Sequence, residues 1–125
     1  MTSAQVLVVE DNETSMKLFR DVLTATGYRT LEATTGREAV EVATEHVPDL
    51  VLMDIQLPDV DGVEALTRLR ANDETASIPV LAVTAQAMYG DRERFLAVGF
   101  DGYVSKPVNV VQFLAVVRQH CDGAR

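Results

Sequence analysis

Three short, uninterrupted apolar runs constrain this chain more than any other feature: Val6-Leu7-Val8-Val9, Leu50-Val51-Leu52-Met53 and Val80-Leu81-Ala82-Val83. None alternates apolar with polar residues. Each therefore predicts a strand buried on both faces, and strands of that kind belong to parallel sheets covered by helices on both sides. Residues 28–33 and 102–105 are weaker strand candidates.

Helical patterns fill the gaps. Over residues 14–26, Met16, Phe19 and Leu23 recur at helical spacing before Gly27 offers a stop. Thr35 and Glu38 have the spacing of a capping box ahead of Ala39, Val42 and Ala43. Asp61 and Glu64 open a helix carrying Ala65, Leu66 and Leu69. Asp91 stands where it would cap a helix with Phe95, Leu96 and Val98, ended by Gly99. Asn109 and Gln112 start a last helix through Leu114 and Val117. Strand then helix, five times over, predicts a doubly wound α/β domain. At 125 residues the chain is expected to be that one domain, residues 1–125, with no output domain after it.

Ligands of such sheets bind beyond the carboxyl ends of the strands. The first apolar run ends in Glu10-Asp11, the second in Asp54, the third in Thr84, and the last strand candidate in Ser105-Lys106-Pro107. One rim thus collects three carboxylates, a hydroxyl and an ammonium. Carboxylates ~4 Å apart in an intermediate dielectric repel by several kcal/mol per pair, so such a cluster holds protons or a cation. Oxygen ligands with no neighbouring His or Cys favour Mg²⁺, which keeps waters and leaves room for a phosphate oxygen. Asp54 is then a candidate oxygen nucleophile, with Thr84 and Lys106 as partners of the phosphoryl oxygens. Singly, each has a plainer reading. Asp54 is a turn residue, Glu10-Asp11-Asn12 opens a helix, Thr84 is a turn hydroxyl and Lys106 a solvated charge. It is the joint pattern that points to phosphoryl chemistry.

Taken together, these positions resemble the receiver domains of two-component response regulators, the CheY-like family. The resemblance rests on Val8-Val9-Glu10-Asp11-Asn12, Leu52-Met53-Asp54-Ile55-Gln56-Leu57-Pro58, Asp61-Gly62, Val83-Thr84-Ala85 and Lys106-Pro107, and covers essentially the whole chain. It implies a flavodoxin-like five-stranded parallel sheet of order 2-1-3-4-5 with five helices. It implies that Asp54 accepts a phosphoryl group from a sensor histidine kinase or phosphotransfer protein. Glu10, Asp11, Asp54 and the Gln56 backbone carbonyl would bind Mg²⁺, with Mn²⁺ as a substitute. Thr84 and Lys106 would grip the phosphate, Tyr103 would be the switch aromatic, and the Lys106–Pro107 peptide would be cis. Glu10-Asp11-Asn12-Glu13 and Met16-Lys17-Leu18-Phe19 are most similar to the DivK-type single-domain regulators, although such stretches also occur in receivers of hybrid kinases. A phosphorelay intermediate or a hybrid-kinase fragment is therefore the alternative. Glu10 departs from the frequent Asp, and Gln86 stands where many relatives carry an acid or an aromatic.

Other functions fit less well. A haloacid-dehalogenase-like phosphatase needs a second Asp two residues after the nucleophile, where this chain has Gln56. A flavodoxin-like cofactor binder needs a phosphate loop after the first strand, where Glu10-Asp11-Asn12-Glu13 would repel it. A phosphate-independent module keeping only the fold is disfavoured by the intact set of positions.

Charge narrows the partners. Eleven Lys+Arg against nineteen Asp+Glu leave −8, which argues against nucleic acid and anionic membranes. Output is then expected from protein docking, with Leu18 and Val22 facing the kinase and Ala87-Met88-Tyr89 offering a downstream patch. The single Cys121, the absence of a ~20-residue apolar run and the lack of a signal-peptide pattern at Met1-Thr2-Ser3-Ala4-Gln5 lead to a cytoplasmic expectation.

Overall fold

The structure, a computed structural model, describes residues 4–85 and 91–122, with residues 91, 92 and 122 described in their backbone alone. Five strands and five helices alternate among the described residues. They are β1 (Gln5–Val9), α1 (Glu13–Ala25), β2 (Arg29–Ala33), α2 (Gly36–His46), β3 (Leu50–Asp54), α3 (Gly62–Ala71), β4 (Val80–Thr84), α4 (Asp91–Val98), β5 (Gly102–Ser105) and α5 (Val110–Asp122). All strand pairs are parallel, in the order β2-β1-β3-β4-β5.

The apolar runs are continuous because both faces of the sheet are covered. Leu7, Val9, Val51, Met53, Val80 and Ala82 point to one face and pack with Ala39 and Ala43 of α2, Leu66 and Leu69 of α3, and Phe95 of α4. Val6, Val8, Leu50, Leu52, Leu81 and Val83 point to the other and pack with Met16, Phe19 and Leu23 of α1 and Phe113, Val117 and Cys121 of α5. The Phe19 and Phe113 rings, with centroids 5.3 Å apart, join α1 to α5. The weak strand signals belong to the sheet's edges: most positions of β2 and β5 are half-exposed or exposed, whereas the three central strands are buried throughout except at Gln5, the first residue of β1.

Two helices depart from the sequence pattern. Of the described α4 side chains only Phe95 is buried, while Leu96 and Val98 are exposed. α4 covers the four-residue edge strand β5, which offers only a narrow strip to pack against. In α5 the core stripe runs through Phe113, Val117 and Cys121, with Leu114 half-buried beside it.

Caps fix the helix starts. Asn12 accepts the Ser15 N–H at 3.0 Å and begins α1 one residue before the pattern. Thr35 accepts the Glu38 N–H at 3.0 Å, but Glu38 reaches back to the Thr34 N–H at 2.7 Å rather than to that of Thr35. Asp61 accepts the Glu64 N–H at 2.9 Å, and Asn109 the Gln112 N–H at 3.0 Å. Gly27 adopts φ 101°, a left-handed turn that admits the chain into β2.

The amino rim of the sheet is held by Arg70. Its Nη1 donates to the carbonyls of Ala76 (3.0 Å) and Ile78 (2.7 Å). Its Nη2 donates to the Gly99 carbonyl (3.2 Å) and to Asp101 Oδ2 (2.9 Å). The same Asp101 oxygen accepts the Val80 N–H at 2.8 Å. One guanidinium thus ties the end of α3 to the entries of β4 and β5.

Candidate functional site

The opposite, carboxyl rim carries the acidic cluster. Val9 is registered beside Met53, so the residues that follow each, Glu10-Asp11 and Asp54, emerge side by side. Glu10, Asp11 and Asp54 each offer an oxygen, all lying within 4.8 Å of one another. Glu10 is 1% exposed and Asp54 6%, whereas Asp11 faces solvent. Thr84 ends β4, buried, opposite Ser105 of β5. Lys106 follows directly and its backbone N–H donates to the Thr84 carbonyl at 2.8 Å. The Lys106–Pro107 peptide bond is cis.

Glu10 is the anchor of this cluster. Its backbone N–H donates to the Ala33 carbonyl at 2.9 Å. One carboxylate oxygen accepts the Asn12 N–H at 3.2 Å, and the other accepts Lys106 Nζ at 2.6 Å. Asp54 Oδ1 accepts the Gln56 N–H at 2.9 Å, and its Oδ2 lies 3.7 Å from Lys106 Nζ. Burial pushes the Asp54 carboxyl up to about 6, and the neighbouring Glu10 carboxyl pushes the same way. The Gln56 N–H and the Lys106 ammonium pull it down, and lose. The buried Asp54 carboxylate is therefore under-neutralised by its protein partners. An open cleft of about 410 Å³ lies over these groups, lined also by Gln56, Pro58 and Ala85. Three hard oxygen donors beside an under-compensated charge fit Mg²⁺ or a similar ion.

The remaining positions are spread around this cleft. Tyr103, on β5, is half-buried, with its ring centroid 6.1 Å from that of Phe95. On α1, Leu18 is 41% exposed, while Val22 is half-buried and packs against the core. Of the pair read as a stripe, Leu18 is the more exposed and Val22 keeps part of its surface open. Gln86, Ala87, Met88 and Tyr89 lie outside the described residues.

Sequence reasoning missed Asp59. Its carboxylate accepts the Gly36 N–H at 2.8 Å and the Arg37 N–H at 3.0 Å, at the first turn of α2. Some loss of solvation opposes its ionisation, but this is outweighed by the N–H groups of Arg37, Gly36, Val60 and its own residue, which hold the exposed carboxyl down at about 2. No local pattern announces this contact, since the partners stand 23 and 22 positions upstream, at the start of a different element.

Comparison with known proteins agrees with this geometry. The model of the response regulator receiver domain family matches residues 6–118. The polar-differentiation response regulator DivK of Brucella anthropi is 50% identical over 119 residues, covering 95% of this chain and 97% of that relative. Its counterpart in Brucella ovis is 49% identical over the same coverage. Among solved structures, the receiver domain of the sensor histidine kinase PA1611 from Pseudomonas aeruginosa, with a magnesium ion coordinated in its active-site cleft, superposes with TM-score 0.89. It is 31% identical, covering 97% of this chain and 99% of that one. The chemotaxis response regulator CheY4 of Vibrio cholerae superposes with TM-score 0.88 at 27% identity, covering 95% and 99%.

Proposed function

The chain belongs to the response regulator receiver domain family, and we propose that it is a phosphorylation switch that takes a phosphoryl group onto Asp54 from a histidine kinase or a phosphotransfer protein. The observation that carries this reading is the gathering of Glu10, Asp11 and Asp54 within 4.8 Å beside the Lys106 ammonium. In the transfer, an Asp54 oxygen attacks phosphorus, a P–O bond forms and the P–N bond to the donor imidazole breaks. Attack by water later returns the carboxylate and releases inorganic phosphate. The protein is a phosphoacceptor in this scheme and turns over no external substrate.

Glu10, Asp11, Asp54 and the Gln56 carbonyl are the groups that would hold Mg²⁺, or Mn²⁺ in its place. The bound ion supplies positive charge against the phosphoryl oxygens. The chain's own part is positional. Lys106, held over the rim by Glu10, adds an ammonium for the incoming oxygens, and Thr84 adds a hydroxyl donor. Phosphorylation adds up to two negative charges and new acceptors at the end of β4. Thr84 moves toward them, and the half-buried Tyr103 ring turns into the space behind it. The surface so changed around Tyr103 docks a downstream protein.

Leu18 is proposed to meet the kinase, since it stands exposed on the helix that starts beside the acidic cleft. We assign neither nucleic acid nor membrane as a partner. Among the described residues no helix is long and apolar enough to cross a bilayer, and the charge of −8 disfavours both polyanions. A DivK-like regulator is supported by the match to DivK over 97% of that relative's length. The likeness to the PA1611 receiver supports the second reading, a relay intermediate or a piece of a hybrid kinase.

The test is labelling from a small phosphodonor such as phosphoramidate. One phosphoryl group per chain, requiring Mg²⁺ and lost slowly, is the expected result. Continuous turnover would indicate a phosphatase, and no labelling a module that keeps only the fold.

A further inference from the structure

The loop between β3 and α3 is pinned at three points. Asp54 Oδ1 takes the Gln56 N–H at its start. The Gly62 N–H returns to the Ile55 carbonyl at 3.0 Å at its end. Between them, Asp59 leaves the loop's own neighbourhood and grips the Gly36 and Arg37 N–H groups of α2. The fit there is close. A Cβ on Gly36 would collide with the Val60 side chain and lie 2.8 Å from the Val60 carbonyl oxygen. Glycine therefore lets the loop rest directly on the first turn of α2, and the two acceptor oxygens of Asp59 satisfy two of that helix's unpaired donors. With its carboxyl held far below neutrality, Asp59 keeps both bonds across the working pH range. The segment Gln56-Leu57-Pro58 is the short bridge between the Asp54 contact and this grip.

We propose that Asp59 is a positioning residue for the phosphoacceptor site, fixing the backbone that carries the Gln56 carbonyl through its hold on the first turn of α2. This rests on the proposed function above, in which that carbonyl is a metal ligand. It adds that α2 is mechanically joined to the site, so occupancy of the site is felt at Gly36 and Arg37. Coupling of this kind is reciprocal: if an occupied site strengthens the α2 contact by some factor, the formed contact strengthens binding at the site by the same factor.

The experiment uses the full chain and Mg²⁺ alone as the probe. Mg²⁺ affinity is measured by calorimetry for the wild type, Asp59→Asn and Asp59→Ala, each at a urea concentration where it is fully folded. Loss of an outer partner of a metal ligand weakens binding by about tenfold or more, and that is expected for Asp59→Ala. Asp59→Asn keeps one acceptor oxygen and so should fall between the other two. Equal losses in both variants would mean that Asp59 acts through its charge alone, and would overturn the positioning role. Unchanged affinity in a less stable variant would mean a structural cap only, with the same consequence. The wild type gives an arm that needs no variant. During the Mg²⁺ titration the Gly36 and Arg37 amide resonances should shift with the same midpoint as that of Gln56. Stationary Gly36 and Arg37 signals while Gln56 moves would refute the coupling. A wild type that takes neither Mg²⁺ nor phosphoryl would refute the proposed function itself, and this inference with it.

Discussion

Lys106 Nζ stands 2.6 Å from Glu10 Oε1 but 3.7 Å from Asp54 Oδ2, so the rim's ammonium is committed first to a residue 96 positions earlier in the chain. Glu10 is almost wholly buried and Lys106 mostly so, which makes the pair asymmetric in its consequences. Removing one partner of a buried pair strands the other's charge, at a cost of about 3 kcal/mol or more.

Lys106→Met should therefore destabilise the metal-free protein by about 3 kcal/mol, read from urea unfolding. The double variant Glu10→Gln/Lys106→Met should be clearly more stable than the sum of the single changes predicts. Additivity within ~0.5 kcal/mol would show that the two groups are energetically independent.

Asp54→Asn should abolish labelling while keeping the fold. It should also flatten the pH dependence of stability without Mg²⁺. The folded carboxyl titrates at about 6, above its ordinary 3.8, so folding holds its proton longer than the unfolded chain does. That contribution is complete below pH ~4 and is lost as pH rises through ~6. At pH 8 the variant should match or exceed the wild type in melting temperature. Labelling that persists at another residue would move the phosphoacceptor elsewhere.

Mg²⁺ should raise the melting temperature of the wild type by mass action, worth about 2.7 kcal/mol at a hundredfold excess over Kd. Asp11→Asn should reduce that rise, because Asp11 is one of the three carboxylates that cluster among the described residues and the most exposed of them. Equal rises in both proteins would remove Asp11 from the ligand set.

Leu18→Asp should leave small-donor labelling unchanged, since Leu18 is exposed on α1 and absent from the core. Phosphotransfer from a cognate kinase should fall by at least about tenfold, equivalent to ~1.4 kcal/mol of docking energy. Loss of both activities would indicate damage to the fold. Loss of neither would place the kinase on another surface.

The central strands were legible in the sequence because burial on both faces leaves no polar position to blur the pattern. Val6-Leu7-Val8-Val9 and its two counterparts differ from the observed strands only at their ends. Gly102–Ser105 was read with the observed bounds despite lying at the sheet's edge. The rim could be read too, since strand ends in a parallel sheet are brought together by topology alone, which sufficed to place Glu10, Asp11 and Asp54 side by side. What could not be read were contacts whose logic is tertiary. Phe113 rather than Leu114 leads the α5 stripe because Phe19 waits opposite it. Val22 packs partly against the core while Leu18 stays exposed. Asp59 caps a helix that the chain completed before reaching it.

The Arg70 clamp gives the molecule two ends that fail in different ways. At the carboxyl rim the change Asp54→Asn is expected to spare the scaffold and remove labelling, so its phenotype would be that of a clean null at normal abundance. At the amino rim, one guanidinium holds three carbonyls and a carboxylate far from the acidic cleft. A lesion there leaves each folded molecule competent and lowers how many are folded, so it behaves as a dosage allele that worsens with temperature. Inheritance would thus separate the two rims before any biochemistry did.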